Sequence, residues 1–184
     1  PMEAETVTIS RTGGRYIFPA KFLTAAAMNP CPCGYYNHPT KECTCSPGSV
    51  HRYMGRISGP LMDRIDLHVE VTPVALDEIS STAPAEKSAA IRERVVAARA
   101  RQAARFAGTN GIHTNAMMNP AMLREFCRLD AACSAMLGRA MERLDLSARA
   151  YDRIVKVART IADLAASPDI RPEHIAEAIN YRSL

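Results

Sequence analysis

The sequence predicts an α/β region followed by an all-α domain, and three features of the chain support this prediction. Short apolar runs typical of strands, such as "TVTIS" and "IDLHVEV", occur within residues 1–73. Small and polar residues dominate residues 74–85, which indicates a linker. Across residues 86–184 the apolar side chains recur at helical spacing, so we expect a helical bundle there.

The first domain is predicted to open with a β-hairpin over residues 6–18, because two alternating runs flank the turn sequence "RTGG". The continuous apolar run "FLTAAAM" (22–28) suits a buried parallel strand. The alternating run "IDLHVEV" (65–71) predicts a further strand. Between these strands, "SVHRYMGRI" and "GPLMDR" are candidates for short helices.

The second domain is predicted to contain four or five helices. The clearest pattern covers residues 147–166, where Ser147 is a plausible N-cap. The proline at position 172 is typical of the first turn of a helix, and it predicts a last helix over 172–180. The remaining predicted helices begin near residue 86, where Ile91, Val95, Ala98 and Phe106 share one face, and cover 119–127 and 130–144.

The composition excludes some classes of protein but does not indicate one function. The 184 residues are 47% hydrophobic and 23% charged, as in ordinary globular proteins. A net charge of +4 permits nucleic-acid contact but does not argue for it. No apolar run approaches the roughly 18 residues of a membrane helix. The N-terminus has no basic-then-apolar signal pattern, so we expect a cytoplasmic protein.

Four of the six cysteines form two C-x-C pairs, and they predict a structural Zn²⁺ site. The ligands would be Cys31, Cys33, Cys43 and Cys45, in a loop rich in Gly and Pro (31–45). Four thiolates leave no open position for catalysis. The alternative is an exposed loop with free thiols. The other two, Cys127 and Cys133, stand in helical surroundings and are expected to be small buried hydrophobes.

Three polar residues are candidates for contact with a ligand, and each has a plainer alternative. Asn29 follows an apolar strand, where open α/β sheets contact ligands, but Asn before Pro also favours a turn. Arg64 could contact a phosphate or could pair with a neighbouring aspartate at 63 or 66. Arg149 lies in the first turn of a predicted helix, where a cation needs either solvent or an anionic partner.

Three segments together resemble the magnesium-chelatase-like AAA+ ATPases of the ComM/YifB type. They are "FPAKFLTAAAMNPCPCGYY", "CTCSPGSVHRYMGRISGPLMDRIDLHVEV" and "LSARAYDRIVKVARTIADL". The resemblance implies the C-terminal part of an AAA+ α/β core, with a hairpin, a sensor-1 strand and an arginine-finger strand, followed by a helical lid. The sequence contains neither a Walker A nor a Walker B motif, so this chain alone is predicted not to hydrolyse ATP.

The resemblance also implies roles for single residues. Asn29 would be the sensor-1 residue that faces the γ-phosphate of ATP with Mg²⁺. Arg64 would be the arginine finger directed at a neighbouring subunit, and Arg149 would be the sensor-2 arginine of the lid. Arg11 and Arg15 would lie on a hairpin directed into the pore of a hexameric ring, where DNA passes; a solvated hairpin tip is the alternative.

The function implied by the resemblance is a DNA-acting motor, with helicase or branch-migration activity in recombination or natural transformation. Two alternatives belong to other classes. One is a magnesium-chelatase motor subunit, which drives metal insertion into a porphyrin. The other is a zinc-stapled module that docks partners without hydrolysis. No membrane partner is expected.

Overall fold

The computed structural model describes residues 2–74 and 85–182. The chain divides into two compact units, Pro1–Ile65 and Asp66–Leu184. The predicted linker, 74–85, lies outside the described residues apart from its two ends. None of the helices within the described ranges is long and apolar enough to cross a membrane.

The first unit opens with the predicted β-hairpin. Strand β1 (Thr6–Arg11) pairs antiparallel with β2 (Gly14–Pro19), from Thr6 opposite Pro19 to Arg11 opposite Gly14. Gly14, directly after the two-residue turn, has φ 143°, a backbone conformation that residues with a side chain rarely adopt. The hairpin prediction is therefore confirmed.

The two other predicted strands, 22–28 and 65–71, are wrong for the described structure, which forms no strand over either segment. Their side chains are largely exposed: Leu23 is 94% and Val71 85% accessible. A buried parallel strand needs neighbouring strands on both sides and layers on both faces. The described residues supply neither for these segments, so apolarity alone does not produce a strand there.

Two short helices complete the first unit, and both begin at a serine cap followed by a proline in the first turn. Helix α1 (Pro47–Met54) is capped by Ser46, whose hydroxyl accepts the backbone N–H of Ser49 at 3.3 Å. Helix α2 (Gly59–Met62) is capped in the same way by Ser58. Both helices were predicted from sequence.

The second unit is helical, and its helix bounds follow the predicted ones within a few residues. Within residues 85–182 the helices are α3 (Ser88–Arg105), α4 (Pro120–Phe126), α5 (Ala131–Arg143), α6 (Ala148–Leu164) and α7 (Pro172–Asn180), with a short 3-10 turn at Asn115–Met117. Leu137, Ile154 and Ile175 are fully buried at the centre of the core. Cys127 and Cys133 are buried, as predicted. On α3 the expected apolar face is buried only at its C-terminal end, because Ile91 and Val95 are exposed.

Candidate metal centre and associated residues

The four predicted zinc ligands converge in space. The sulfur atoms of Cys31, Cys33, Cys43 and Cys45 all lie within 4.8 Å of one another. Cys31 is buried and the other three are partly exposed, and all four are free thiols rather than disulfides. Two C-x-C pairs that are ten residues apart in sequence have therefore been brought to one point.

The spacing of the sulfurs suits a tetrahedral metal. The Sγ of Cys31 lies 3.3 Å from that of Cys33 and 3.7 Å from that of Cys43, and the Cys33 and Cys43 sulfurs are 3.6 Å apart. A Zn–S bond of about 2.3 Å in tetrahedral geometry places sulfurs about 3.8 Å apart. A disulfide would require about 2.05 Å. The observed spacing therefore matches shared metal ligation far better than cross-linking.

Backbone amides surround the sulfurs and favour their ionised form. The N–H of Tyr35 is the main cause that lowers the pKa of Cys33 to about 6. For Cys43, the N–H of Cys45 lowers the pKa, but burial and the neighbouring thiols outweigh it and raise the pKa to about 12. The opposite shifts are expected when thiols share one site, since the first negative charge disfavours the second. A cation at the centre would relieve this repulsion.

The loop conformation is fixed by local hydrogen bonds. Gly34 adopts φ 83°, and its N–H donates to the carbonyl oxygen of Cys31 at 3.0 Å. The Nδ1 of His38 accepts the backbone N–H groups of Thr40 at 3.2 Å and Lys41 at 3.1 Å. His38 therefore orders the loop and is not a member of the sulfur cluster.

The first unit has little apolar core apart from this cluster. Among its described residues, Cys31 and Val50 are the buried hydrophobic ones. Small folds with so little buried area usually depend on a metal or disulfides for stability. We therefore expect the cysteine cluster to stabilise this unit, as a hydrophobic core stabilises other domains.

The three candidate phosphate-contacting residues are on the surface of their units. Asn29 is exposed, and its amide lies beside the cysteine loop: a Cβ on Gly34 would be 3.9 Å from the Asn29 side chain. Arg64 is partly exposed; its Nη1 donates to the carbonyl oxygen of Pro60 at 2.9 Å, and its Nε lies 3.5 Å from a carboxylate oxygen of Glu3. Arg149 is exposed in the first turn of α6, two residues after the cap Ser147. The described ion pair of Arg64 is thus with Glu3.

The two hairpin arginines flank the turn and are exposed. Arg11 is opposite Gly14, whereas Arg15 is opposite Ser10. Because neighbouring side chains alternate between the faces of a strand, Arg11 and Arg15 point to opposite faces of the hairpin. The face of Arg11 also carries the exposed apolar side chains Ile9, Tyr16 and Phe18.

Sequence reasoning missed a buried ionic cluster in the helical unit. Asp163 is fully buried and accepts hydrogen bonds from Arg105 at 2.5 and 2.7 Å and from the Asn115 amide at 2.8 Å. Arg159 lies 3.2 Å from the same carboxylate. Burial raises the pKa of Asp163, but the hydrogen bonds from Arg105 and Asn115 outweigh this and hold it below its usual value. The available signal was that Arg159 and Asp163 occupy the apolar face of α6.

Comparison with known proteins gives two consecutive family matches. The profile described as "Magnesium chelatase, subunit ChlI" matches residues 1–79, and "Magnesium chelatase, subunit ChlI C-terminal" matches residues 85–182. Uncharacterized protein YifB of Escherichia coli and competence protein ComM of Haemophilus influenzae are each 40% identical over 185 residues, covering 100% of this chain. An uncharacterized protein of Mycobacterium tuberculosis is 34% identical over 182 residues and 99% of this chain. The chain spans 35% of the length of each of these relatives.

Proposed function

The chain belongs to the magnesium chelatase ChlI family, and on that premise we propose that it is the C-terminal part of a hexameric AAA+ ATPase that acts on DNA. The observation that carries this proposal is the match of both family profiles in order, together with 40% identity over the whole chain to a competence protein. The word competence in that relative's name supports DNA as the substrate. Helicase or branch-migration activity is the form of action that we propose.

Asn29, Arg64 and Arg149 would act on ATP with Mg²⁺ in the full-length ring. Asn29 would orient the attacking water and the γ-phosphate, Arg64 would reach the nucleotide of the neighbouring subunit, and Arg149 would contact the γ-phosphate of its own subunit. Phosphoryl transfer places charge on oxygens that fixed guanidinium groups stabilise. The accessibility of Arg64 supports this role, because its described anionic contact, with Glu3, is exposed to solvent and exchangeable.

The cysteine cluster would hold one structural Zn²⁺ in this protein. The donor set fits: four sulfurs lie at near-tetrahedral spacing, with backbone N–H groups directed at them. The metal would cross-link the loop and, with four thiolates, would have no catalytic position. Free thiols persist in a reducing compartment, which supports a cytoplasmic location.

The hairpin arginines, Arg11 and Arg15, would contact DNA in the pore of the ring.

A second function is favoured by the name of the matching family. A magnesium-chelatase motor subunit would use ATP to drive metal insertion into a porphyrin, with no need for DNA. A third, a zinc-stapled interaction module, would hydrolyse no ATP at all. The three proposals make different predictions for the rate of ATP hydrolysis with and without DNA.

The test is ATP hydrolysis by the full-length protein with and without DNA. We expect hydrolysis that single-stranded or branched DNA stimulates severalfold, and the Arg11→Ala/Arg15→Ala variant should lose the stimulation while keeping the DNA-independent rate. Hydrolysis unaffected by any DNA would favour the chelatase motor. If a folded ring, purified without bound nucleotide, does not hydrolyse added ATP, the interaction module would be favoured.

A further inference from the structure

A surface pocket lies where the cysteine loop meets helix α1. Its volume is about 170 Å³, and it is lined by Pro32 from the loop and by Ser49, Arg52, Tyr53 and Arg56. Ser49, Arg52 and Tyr53 are spaced i, i+3 and i+4 on one face of α1, and Arg56 follows two residues after the helix ends. We propose that this face binds the phosphodiester backbone of nucleic acid, a proposal that rests on the DNA-acting function above.

The positive charge of this face is not balanced by a carboxylate of the described residues. Among the described residues, no acidic side chain lies within ion-pair distance of Arg52 or Arg56. Elsewhere in the first unit, Lys21 and Arg64 are paired with glutamates. Two guanidinium groups at the C-terminal end of α1, without an acidic partner among the described residues, therefore form a basic surface that suits an anion.

The pocket is small and basic, so it fits a phosphate group better than a whole nucleotide. Pockets that enclose a small-molecule ligand usually have volumes of roughly 300–1,000 Å³, and this pocket is smaller. Arginine forks match the paired oxygens of a phosphate, and hydroxyl groups such as those of Ser49 and Tyr53 are common partners of DNA phosphates. A polymer that presents one phosphate group after another fits a small, open, basic pocket.

The cysteine cluster holds both walls of the pocket. Pro32 lies between Cys31 and Cys33, and Ser46, the cap of α1, directly follows Cys45. A metal at the cluster would fix the distance between Pro32 and the arginine face of α1. Nucleic-acid contact at this pocket therefore gives the cysteine loop a role beyond stability.

The test measures binding of a fluorescently labelled oligothymidine to the full-length protein by anisotropy, over a series of NaCl concentrations. The test variant is Arg52→Gln/Arg56→Gln, and Arg52→Lys/Arg56→Lys keeps the charge. The matched control is Arg124→Gln/Arg128→Gln, since these exposed arginines have the same spacing and the same position relative to the end of α4. Far-UV circular dichroism and limited proteolysis show whether each variant is folded.

We expect the Gln variant to bind about tenfold or more weakly at low salt, with a slope of log K against log salt that is smaller by about 1.4, as for two lost phosphate contacts on a single strand. The Lys variant should keep most of the slope, and the control pair should match the wild type. An RNA oligonucleotide of the same length should depend on the same arginines, because its phosphates are alike.

Three outcomes would overturn the inference. If the wild type binds DNA and the Gln variant keeps the same slope, α1 is not the contact and the proposed function stands. If the Gln variant loses affinity for ATP while its DNA binding is unchanged, the pocket binds a nucleotide instead of nucleic acid. If the wild type binds no nucleic acid, the proposed action on DNA fails and this inference fails with it.

Discussion

The two units of the chain bury their side chains by different means. In Asp66–Leu184, the helices that the structure describes enclose a continuous apolar core with Leu137, Ile154 and Ile175 at its centre. In Pro1–Ile65, the described buried hydrophobic residues are Cys31 and Val50, and four thiols meet at one point. The difference indicates that the helical unit is stabilised by packing, whereas we propose that the first unit depends on a metal cross-link at its four thiols.

The largest expected effect breaks that cross-link. Cys31→Ser should release the metal from the first unit, because three thiolates leave the tetrahedral site incomplete. Elemental analysis should show one zinc fewer per chain, and limited proteolysis should cut within residues 1–65. The helical signal of the second unit should remain.

Two matched variants separate ligation from general damage. Cys127→Ala removes a cysteine that is buried in the helical unit, and it should leave the zinc content unchanged. Cys45→His should retain the metal through an imidazole nitrogen, with the visible spectrum of the Co²⁺-substituted protein shifted from a four-sulfur to a three-sulfur pattern. Equal zinc in wild type and Cys31→Ser would contradict the metal-held first unit.

The next effect concerns the ionic cluster of the helical unit. Asp163→Asn leaves the partly buried Arg105 and the buried Arg159 without their shared carboxylate, which should lower the free energy of unfolding by about 3–5 kcal/mol. Urea unfolding followed by circular dichroism measures this loss. Asp169→Asn, at an exposed acidic position nearby, should change it by less than about 0.5 kcal/mol. Similar values for both variants would show that the cluster is not stabilising.

The same cluster predicts a pH dependence. The folded-state pKa of Asp163 is lowered, so its contribution is present above the unfolded pKa of about 3.9 and is lost as pH falls through the lower folded value. The wild type should therefore lose stability below about pH 4 more steeply than Asp163→Asn does. Parallel pH profiles for the two proteins would contradict the assignment.

Sequence patterns predicted the structures that depend on local signals. The hairpin followed from alternation around "RTGG", and α6 followed from a serine cap and helical periodicity. The cysteine spacing correctly predicted that the four sulfurs converge. Segments 22–28 and 65–71 were predicted wrongly, because an apolar run becomes a strand only when neighbouring strands are present. The Asp163 cluster was missed because two of its partners, Arg105 and Asn115, are 58 and 48 residues from Asp163 in sequence.

The smallest expected effect is at the cap of α6. The Ser147 hydroxyl accepts the N–H of Ala150 at 3.2 Å, so Ser147→Ala should cost about 1 kcal/mol of unfolding free energy. Ser134→Ala, at an exposed position within α5, removes no cap and should be neutral or slightly stabilising. Urea unfolding of both variants makes the comparison. An equal loss in both would mean that the cap at Ser147 contributes nothing specific.

Each unit supplies one of the arginines proposed to act on ATP, Arg64 from the first and Arg149 from the second, and their kinetics test the account most directly. In the full-length ring, Arg64→Ala should reduce hydrolysis by about 10³-fold or more with ATP binding retained, since an arginine finger acts on the transition state. Mixing it with a Walker-A-defective subunit should restore part of the activity. Arg149→Ala should weaken ATP binding as well. Normal hydrolysis by Arg64→Ala, or no recovery in any mixture, would contradict the proposed ATPase site.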